Sequence, residues 1–305
     1  MRKEPGPMQK TVLITGSSGF VGRFIQQQWS NIVLWPRSVD LTNRSLVQSK
    51  VQELLKEHRF TAVLHLAAQS NPRLSFTKVV ETWNTNVMGT LHLTGALEEC
   101  GWDGRFLFTS TGEVYGEKKG EIDESTEVQP LSPYVSSKCA AEQVVRDFDF
   151  RTAAEAMVVR SFNHSGPGQR NIYFLPSMAS QIAGLPPSGG TIEVGNLNVH
   201  KNFLHVEDVV RAYAALLESG RGGETYNLGA RQSRSLNDIL QVMAEMSGKD
   251  VEYRRHPERF REESPEPVSV CTDKLERDTG WKREKSLESL LGDLLRYWNR
   301  QVTAK

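Results

Sequence analysis

Tyr134 and Lys138 stand four residues apart in Leu131-Ser-Pro-Tyr-Val-Ser-Ser-Lys138, a spacing that puts both on one face of a helix. Pro133, followed by Ser136, Ser137, Ala140, Ala141 and Glu142, reads as the start of that helix. An isolated phenol titrates near ~10 and is a poor acid or base at neutral pH, but a neighbouring ammonium favours the phenolate and lowers that value. The expectation is therefore that Lys138 lowers the Tyr134 pKa, so that the pair can move a proton to or from a substrate hydroxyl. A plain surface helix also carries such a pair by chance, so the elements around it must decide.

Lys10-Thr-Val-Leu-Ile-Thr15 is a short apolar run rich in β-branched residues, and it leads through Gly16-Ser-Ser-Gly19-Phe-Val-Gly22 into a helical pattern. Strand, glycine turn and helix in that order suit a dinucleotide. Gly16 permits the tight turn, Gly19 lets backbone approach a pyrophosphate, Gly22 allows close helix packing, and the helix start supplies N–H groups. An NAD-binding chain would carry an acid about 20 residues further on, at the end of the second strand. Here that strand, Asn31–Trp35, ends in Pro36-Arg37-Ser38. A guanidinium and a hydroxyl suit a 2′-phosphate, which favours NADP(H); the alternative is that Arg37 is solvated and Asp40 supplies the acid.

Phe60-Thr-Ala-Val-Leu-His-Leu-Ala-Ala68 is the next buried strand, with His65 read as hydrogen-bonded scaffold. Thr82–Leu97 has helical periodicity around Asn86, a residue that either packs or links to the sheet. Arg105–Ser110 is a further strand running out into Thr111-Gly-Glu-Val-Tyr-Gly116. Ligands bind beyond the carboxyl ends of strands in open α/β sheets, so Thr111 and Glu113 are placed to meet a substrate. Alternating strands and helices predict an α/β fold with a doubly wound parallel sheet.

Gly16-x-x-Gly19-x-x-Gly22, His65-Leu-Ala-Ala68, Asn86-Val-x-Gly89-Thr90, Thr109-Ser-Thr-Gly-Glu-Val-Tyr-Gly116 and Tyr134-x-x-x-Lys138 together resemble the extended short-chain dehydrogenases/reductases. The resemblance implies a catalytic triad of Thr111, Tyr134 and Lys138. Tyr134 would transfer the proton, Lys138 would lower its pKa and hold the nicotinamide ribose, and Thr111 would orient the sugar oxygen. It further implies cofactor contacts from Gly16, Gly19, Phe20, Val21, Gly22, Arg37, Ser38, Asp40, Leu41, Leu66, Ala67, Ala68, Tyr134, Lys138 and His164. Substrate contacts fall to Glu113, Asn163, Phe174, Val194, Lys201 and Arg261, with Arg259 in reserve.

Arg160-Ser-Phe-Asn-His-Ser-Gly-Pro-Gly-Gln169, a polar loop after the Met157–Arg160 strand, is similar to one branch, the GDP-6-deoxy-4-keto-mannose reductases. That branch implies NADPH-dependent reduction of the 4-keto group of a nucleotide-diphospho-6-deoxyhexose, GDP-4-keto-6-deoxy-D-mannose to GDP-D-rhamnose. In related dTDP-sugar 4,6-dehydratases an aspartate that protonates the departing hydroxyl corresponds to Gly112, and glycine donates no proton; GDP-mannose 4,6-dehydratases resemble this pattern with only Glu113 acidic, but they are longer and carry an extra cofactor-binding loop that this sequence lacks. The competing readings are an NAD-dependent nucleotide-sugar 4-epimerase and a non-catalytic NADP-binding relative. Lys201 and Asn202 depart from the family's Arg-Asp, and a lysine cannot make the bidentate fork.

Later segments read as packing: a helix over Val209–Leu217, a strand over Glu224–Gly229, and helices over Leu236–Met246 and Leu287–Trp298. The expected division is a dinucleotide-binding domain over 8–162, joined by 204–230, and a smaller nucleotide-sugar-binding α/β domain over 163–203 and 231–305. Across 305 residues, Lys+Arg and Asp+Glu balance at 37 each, so no charged field argues for nucleic acid or an anionic membrane. No apolar run reaches the ~18 residues of a membrane span, and the charges of residues 1–7 precede no apolar region, so neither a span nor a secretory signal is expected. Three cysteines, Cys100, Cys139 and Cys271, are odd in number and far apart, which argues against disulfides and a structural zinc site and for a reducing cytoplasm. No metal is assigned, and a homodimer through the helices bearing Asn86 and Lys138 is what the resemblance implies.

Overall fold

A computed structural model describes residues 10–256 and 267–303. The chain opens with β1 (Val12–Thr15), α1 (Phe20–Gln28), β2 (Ile32–Leu34), α2 (Arg44–His58) and β3 (Ala62–His65). It continues through α3 (Gly89–Glu99), β4 (Arg105–Thr111), α4 (Pro133–Arg151) and β5 (Glu155–Ser161). Then come α5 (Phe174–Gly184), β6 (Gly190–Val194), α6 (Val206–Ser219), β7 (Thr225–Leu228), α7 (Leu236–Ser247), β8 (Val251–Arg255) and α8 (Leu287–Thr303). Six strands form one sheet in the order β7-β5-β4-β3-β1-β2, every pair parallel.

Both faces of this sheet are covered, which is why its strands read as unbroken apolar runs rather than alternating ones. Successive side chains point to opposite faces. Val12, Ile14, Leu64 and Leu107 thus meet Ile25 of α1 and Val209, Tyr213 and Leu216 of α6. Leu13, Val63, Phe106 and Phe108 meet Val47 and Val51 of α2, Leu93 and Leu97 of α3, and Ala141, Val145 and Phe148 of α4. A third core gathers Leu175, Met178 and Ile182 of α5, Ile192 and Val194 of β6, Ile239 and Met243 of α7, and Leu290 and Leu294 of α8. There β6 pairs in parallel with β8, in a two-stranded sheet of its own.

Two elements differ from the periodicity. The helical run over Thr82–Leu97 is not one α-helix: a short helix over Val79–Trp83 passes through a π-helical turn, Asn84–Met88, before α3. A π turn inserts one extra residue, often at a functional position. The Val209–Leu217 helix is longer than its apolar stripe, because the His205 ring accepts from the Glu207 N–H at 3.1 Å and caps α6 three residues earlier. Among the described residues no helix is long and apolar enough to cross a membrane.

Candidate active site

The glycine turn lies against the end of β3. Gly16 adopts φ +70°, and a Cβ there would stand 2.6 Å from the Ala67 nitrogen, so only glycine lets the turn run along the Leu66–Ala67 backbone. Gly19 precedes α1 without a side-chain cap, leaving first-turn N–H groups and the positive end of the helix dipole for an anion. A glycine turn pressed against the β3 end and opening on an uncapped helix start fits the pyrophosphate of a dinucleotide. Arg37 and Ser38 are exposed just beyond β2. Asp40 is also exposed, but one of its carboxylate oxygens accepts the Thr42 N–H at 2.9 Å and shapes the turn before α2. Leu41 is buried.

A hydrogen-bond chain joins this turn to the catalytic helix. Thr90 donates to the Asn86 carbonyl at 2.7 Å, so the His65 Nε2–H donates to Thr90 at 3.1 Å and His65 Nδ1 accepts from Thr15 at 2.6 Å. Burial first, then the charge of Lys138, pushes the His65 pKa down to about 3, so the ring stays neutral. Asn86 reaches onward: its Oδ1 accepts the Gln69 N–H at 2.8 Å, and its Nδ2 donates to the Gln69 carbonyl at 3.1 Å and to the Ser137 hydroxyl at 2.9 Å. His65 and Asn86 are thus the scaffold the sequence suggested for the histidine and one of the two roles it left open for the asparagine.

Ser132 caps α4 by accepting the Val135 N–H at 3.2 Å, and Pro133 occupies its first turn. Tyr134 and Lys138 are both buried on the face turned to β4. Thr111, at the end of β4, accepts the Glu113 N–H at 3.2 Å, and its own proton goes to Tyr134. Burial above all, then the Glu113 charge, raises the Tyr134 pKa against that hydrogen bond. The expectation that Lys138 holds this phenol low is corrected, because burial and the Glu113 charge set its direction. Burial lowers the Lys138 pKa to about 7, opposed by Glu142.

Behind the pair lies a network that motif spacing missed. Glu142 is fully enclosed, accepting from Arg160 Nη2 at 2.7 Å, Arg160 Nε at 3.1 Å and Ser110 at 2.5 Å. Arg160 also donates to the Tyr115 hydroxyl at 3.0 Å, and Tyr115 donates to Asn227 Oδ1 at 2.7 Å. Burial would raise the Glu142 pKa, but Arg160, Ser110 and Arg146 outweigh it and hold the carboxyl below the usual range. The signal was available: an arginine inside the apolar Met157–Arg160 strand needs a buried partner, and Glu142 falls one turn after Lys138.

The loop after β5 packs over the site. A Cβ on Gly112 would lie 2.6 Å from the Phe162 ring, which stacks on Tyr115 at 6.1 Å. Asn163 is exposed with its carbonyl accepting the Leu204 N–H at 2.9 Å. His164 donates from Nδ1 to the Phe162 carbonyl, burial lowers its pKa, and its neutral ring stacks on Phe20 at 6.3 Å. Phe174 is half-buried at the start of α5, and Lys201 is exposed. Asn202 beside it is buried with Oδ1 unpartnered among the described residues. The Val194 side chain turns into the third core instead of an open surface. Tyr173, which motif reading passed over, acts electrostatically on Tyr134 and is exposed. Arg259 and Arg261 lie outside the described residues.

The whole chain is similar to known proteins. The GDP-mannose 4,6-dehydratase family profile matches residues 35–294. The chain belongs to this family, within the extended short-chain dehydrogenases/reductases. A GDP-6-deoxy-D-mannose reductase of Pseudomonas aeruginosa is 32% identical over 97% of this chain and 99% of that one. A dTDP-D-glucose 4,6-dehydratase of Mus musculus is 31% identical over 79% of this chain and 74% of that protein. The structure of RMD from Pseudomonas aeruginosa complexed with NADPH superposes with a TM-score of 0.86 at 31% identity, covering 96% of this chain and 100% of the other.

Proposed function

We propose that the protein is an NADPH-dependent 4-ketoreductase acting on a nucleotide-diphospho-6-deoxyhexose, GDP-4-keto-6-deoxy-D-mannose, to give GDP-D-rhamnose. The observation that carries the reading is the Phe162 ring packed on Gly112. It fills the space any side chain at 112 would need, so no acid from that position stands beside Tyr134. With Gly112 unable to donate, Tyr134 is the donor placed for the sugar oxygen, which favours reduction; Glu113, whose charge acts on Tyr134, is the remaining acid nearby. Near full-length similarity to a GDP-6-deoxy-D-mannose reductase supports the same reading over the epimerase alternative.

Gly16, Gly19, Phe20, Val21 and Gly22 would hold the cofactor's diphosphate, Arg37 and Ser38 its 2′-phosphate, and Leu66, Ala67 and Ala68 the backbone surface alongside. NADPH, when bound, supplies the hydride. Tyr134, protonated at neutral pH because it is buried, gives its proton to the carbonyl oxygen as charge develops there, and Thr111 keeps its hydrogen bond to the resulting phenolate. Lys138 donates to sugar hydroxyls of the cofactor and stabilises that phenolate. Glu113, Asn163, Phe174, Lys201 and Arg261 are proposed to receive the nucleotide sugar, with residues 163–203 and 231–305 forming its domain against 8–162 and 204–230.

A homodimer through α4 and the helical segment preceding and including α3 belongs to the same proposal. Val80 is 73% exposed and Phe150 89%, with Trp83, Met88 and Leu91 exposed on the same segment, a large amount of apolar surface for water to cover. Three unpaired thiols support a reducing, cytoplasmic setting.

The test mixes the purified protein with NADPH and enzymatically made GDP-4-keto-6-deoxy-D-mannose. Loss of nicotinamide absorbance with formation of a GDP-deoxyhexose supports the reading. No loss of absorbance, together with interconversion of a UDP-hexose without added cofactor, overturns it.

A further inference from the structure

We propose that Phe108 is a positioning residue for the reduction, its ring face holding the Lys138 side chain as an ammonium inside the sheet–helix layer. Lys138 Nζ lies 4.1 Å from the centroid of the Phe108 ring. Phe108 is wholly buried on β4, three residues before Thr111, so the strand that delivers the threonine also fixes the ring beneath the lysine. The inference rests on the ketoreductase reading, in which Lys138 must be charged to donate to sugar hydroxyls and to stabilise the Tyr134 phenolate.

An ammonium taken out of water loses its hydration, and the negative face of an aromatic ring returns part of that loss without offering a proton acceptor. A carboxylate at the same place would hold the charge as well, but it would compete for the protons Lys138 needs to donate. The carboxylate that does act on Lys138, Glu142, is one turn further along α4 and is already forked by Arg160, which offsets its charge. From β3, the His65 ring stands 5.8 Å from Phe108, hydrogen-bonded to Thr15 and Thr90, and stays neutral because of its burial and the Lys138 charge. It therefore adds no repulsion. Tyr134, on the same helix face, is a neutral phenol in the free protein. Phe108 thus favours the charged form alongside Glu142 without presenting a proton acceptor to Lys138.

The experiment replaces Phe108 with pentafluorophenylalanine, which keeps the shape of the ring and removes its negative face, and in parallel makes Phe108→Leu. Lys138 is followed in the cofactor-free protein by NMR of lysine labelled at 13Cε, its signal identified by its loss in Lys138→Met. The unmodified protein should titrate near 7. The fluorinated protein should titrate about one pH unit lower, with the Leu variant shifted the same way, since a desolvated cation–π contact is of that size. The alkaline limb of NADPH-dependent turnover should fall with it. An unshifted Lys138 titration in a fluorinated protein of normal thermal stability overturns the proposal. Failure to reduce the keto sugar would instead overturn the ketoreductase reading, while the NMR titration still judges Phe108.

Discussion

The Asn86 side-chain amide donates to the Ser137 hydroxyl at 2.9 Å, and Ser137 donates in turn to the Tyr134 carbonyl at 2.7 Å. This ties the π turn before α3 to the first turn of α4, where the proton donor sits. Asn86→Ala should therefore lower turnover roughly 10–100-fold, because a displacement of about 1 Å at the reacting centre is that costly. It should also destabilise by about 1–3 kcal/mol, the cost of buried groups left unpaired. Steady-state kinetics beside urea unfolding check both; normal turnover in the variant would show that the tie does not position Tyr134.

Tyr134→Phe removes the proton donor and leaves the glycine cradle untouched. Turnover should fall by roughly 10²–10⁴-fold, the range of general acid catalysis, with NADPH affinity by fluorescence nearly unchanged. Wild-type rates in this variant would take Tyr134 out of the mechanism.

Glu142 and Arg160 form an enclosed ion pair, their side chains 2% and 5% exposed. Glu142→Leu alone strands a buried guanidinium and should cost roughly 3–5 kcal/mol in urea unfolding. Adding Arg160→Met should restore most of that, since replacing both partners leaves no charge uncompensated. A double variant as unstable as the single one would mean that Tyr115 and Ser110, not the charge pair, carry the stability.

Much of this architecture is legible in the chain. β1 and its glycine turn are local: a β-branched run followed by glycines at fixed spacing needs no distant partner to be recognised. The helix around Tyr134 and Lys138 is local too, set by Ser132 and Pro133. What spacing does not reveal is depth. The chain shows Lys138 four residues from Tyr134, but not that both lie inside a sheet–helix layer where burial raises the Tyr134 pKa instead of lowering it. The π turn at Asn86 hides for a related reason, because the groups its side chain meets, Gln69 and Ser137, come together with it only in the fold. Likewise nothing in the alternation along β6 distinguishes a substrate-facing Val194 from one packed in the third core.

Arg37 and Ser38 are exposed at the end of β2, beyond the cradle, and Asp40 is engaged by the Thr42 N–H. A free guanidinium matches a phosphate bidentately, while a carboxylate at this place would match a ribose 2′-hydroxyl. Arg37→Ala should weaken NADPH about 10- to 100-fold, one or two charge-assisted hydrogen bonds, and leave NADH within about threefold. Equal losses for the two cofactors would place Arg37 away from the 2′-phosphate.

Lys138 supplies a proton-linked signature. Its pKa falls from the ordinary lysine value of 10.5 to about 7 in the folded protein, lowered by burial. Below pH 7 both folded and unfolded chains carry the proton, so the burial penalty on the ammonium is fully present. Between about 7 and 10.5 the unfolded chain holds more protons, so through this group stability rises with pH across that window. A cofactor whose ribose accepts from the ammonium pulls the folded state back toward the charged form. NADPH binding near pH 8.5 should then take up close to one proton, falling toward none near pH 6, where Lys138 is already charged. Calorimetry in buffers of different ionisation enthalpy measures this directly, and Lys138→Met should abolish the uptake. Uptake that persists in Lys138→Met would assign the proton to another group, because His65, neutral down to about 3, does not titrate in this range.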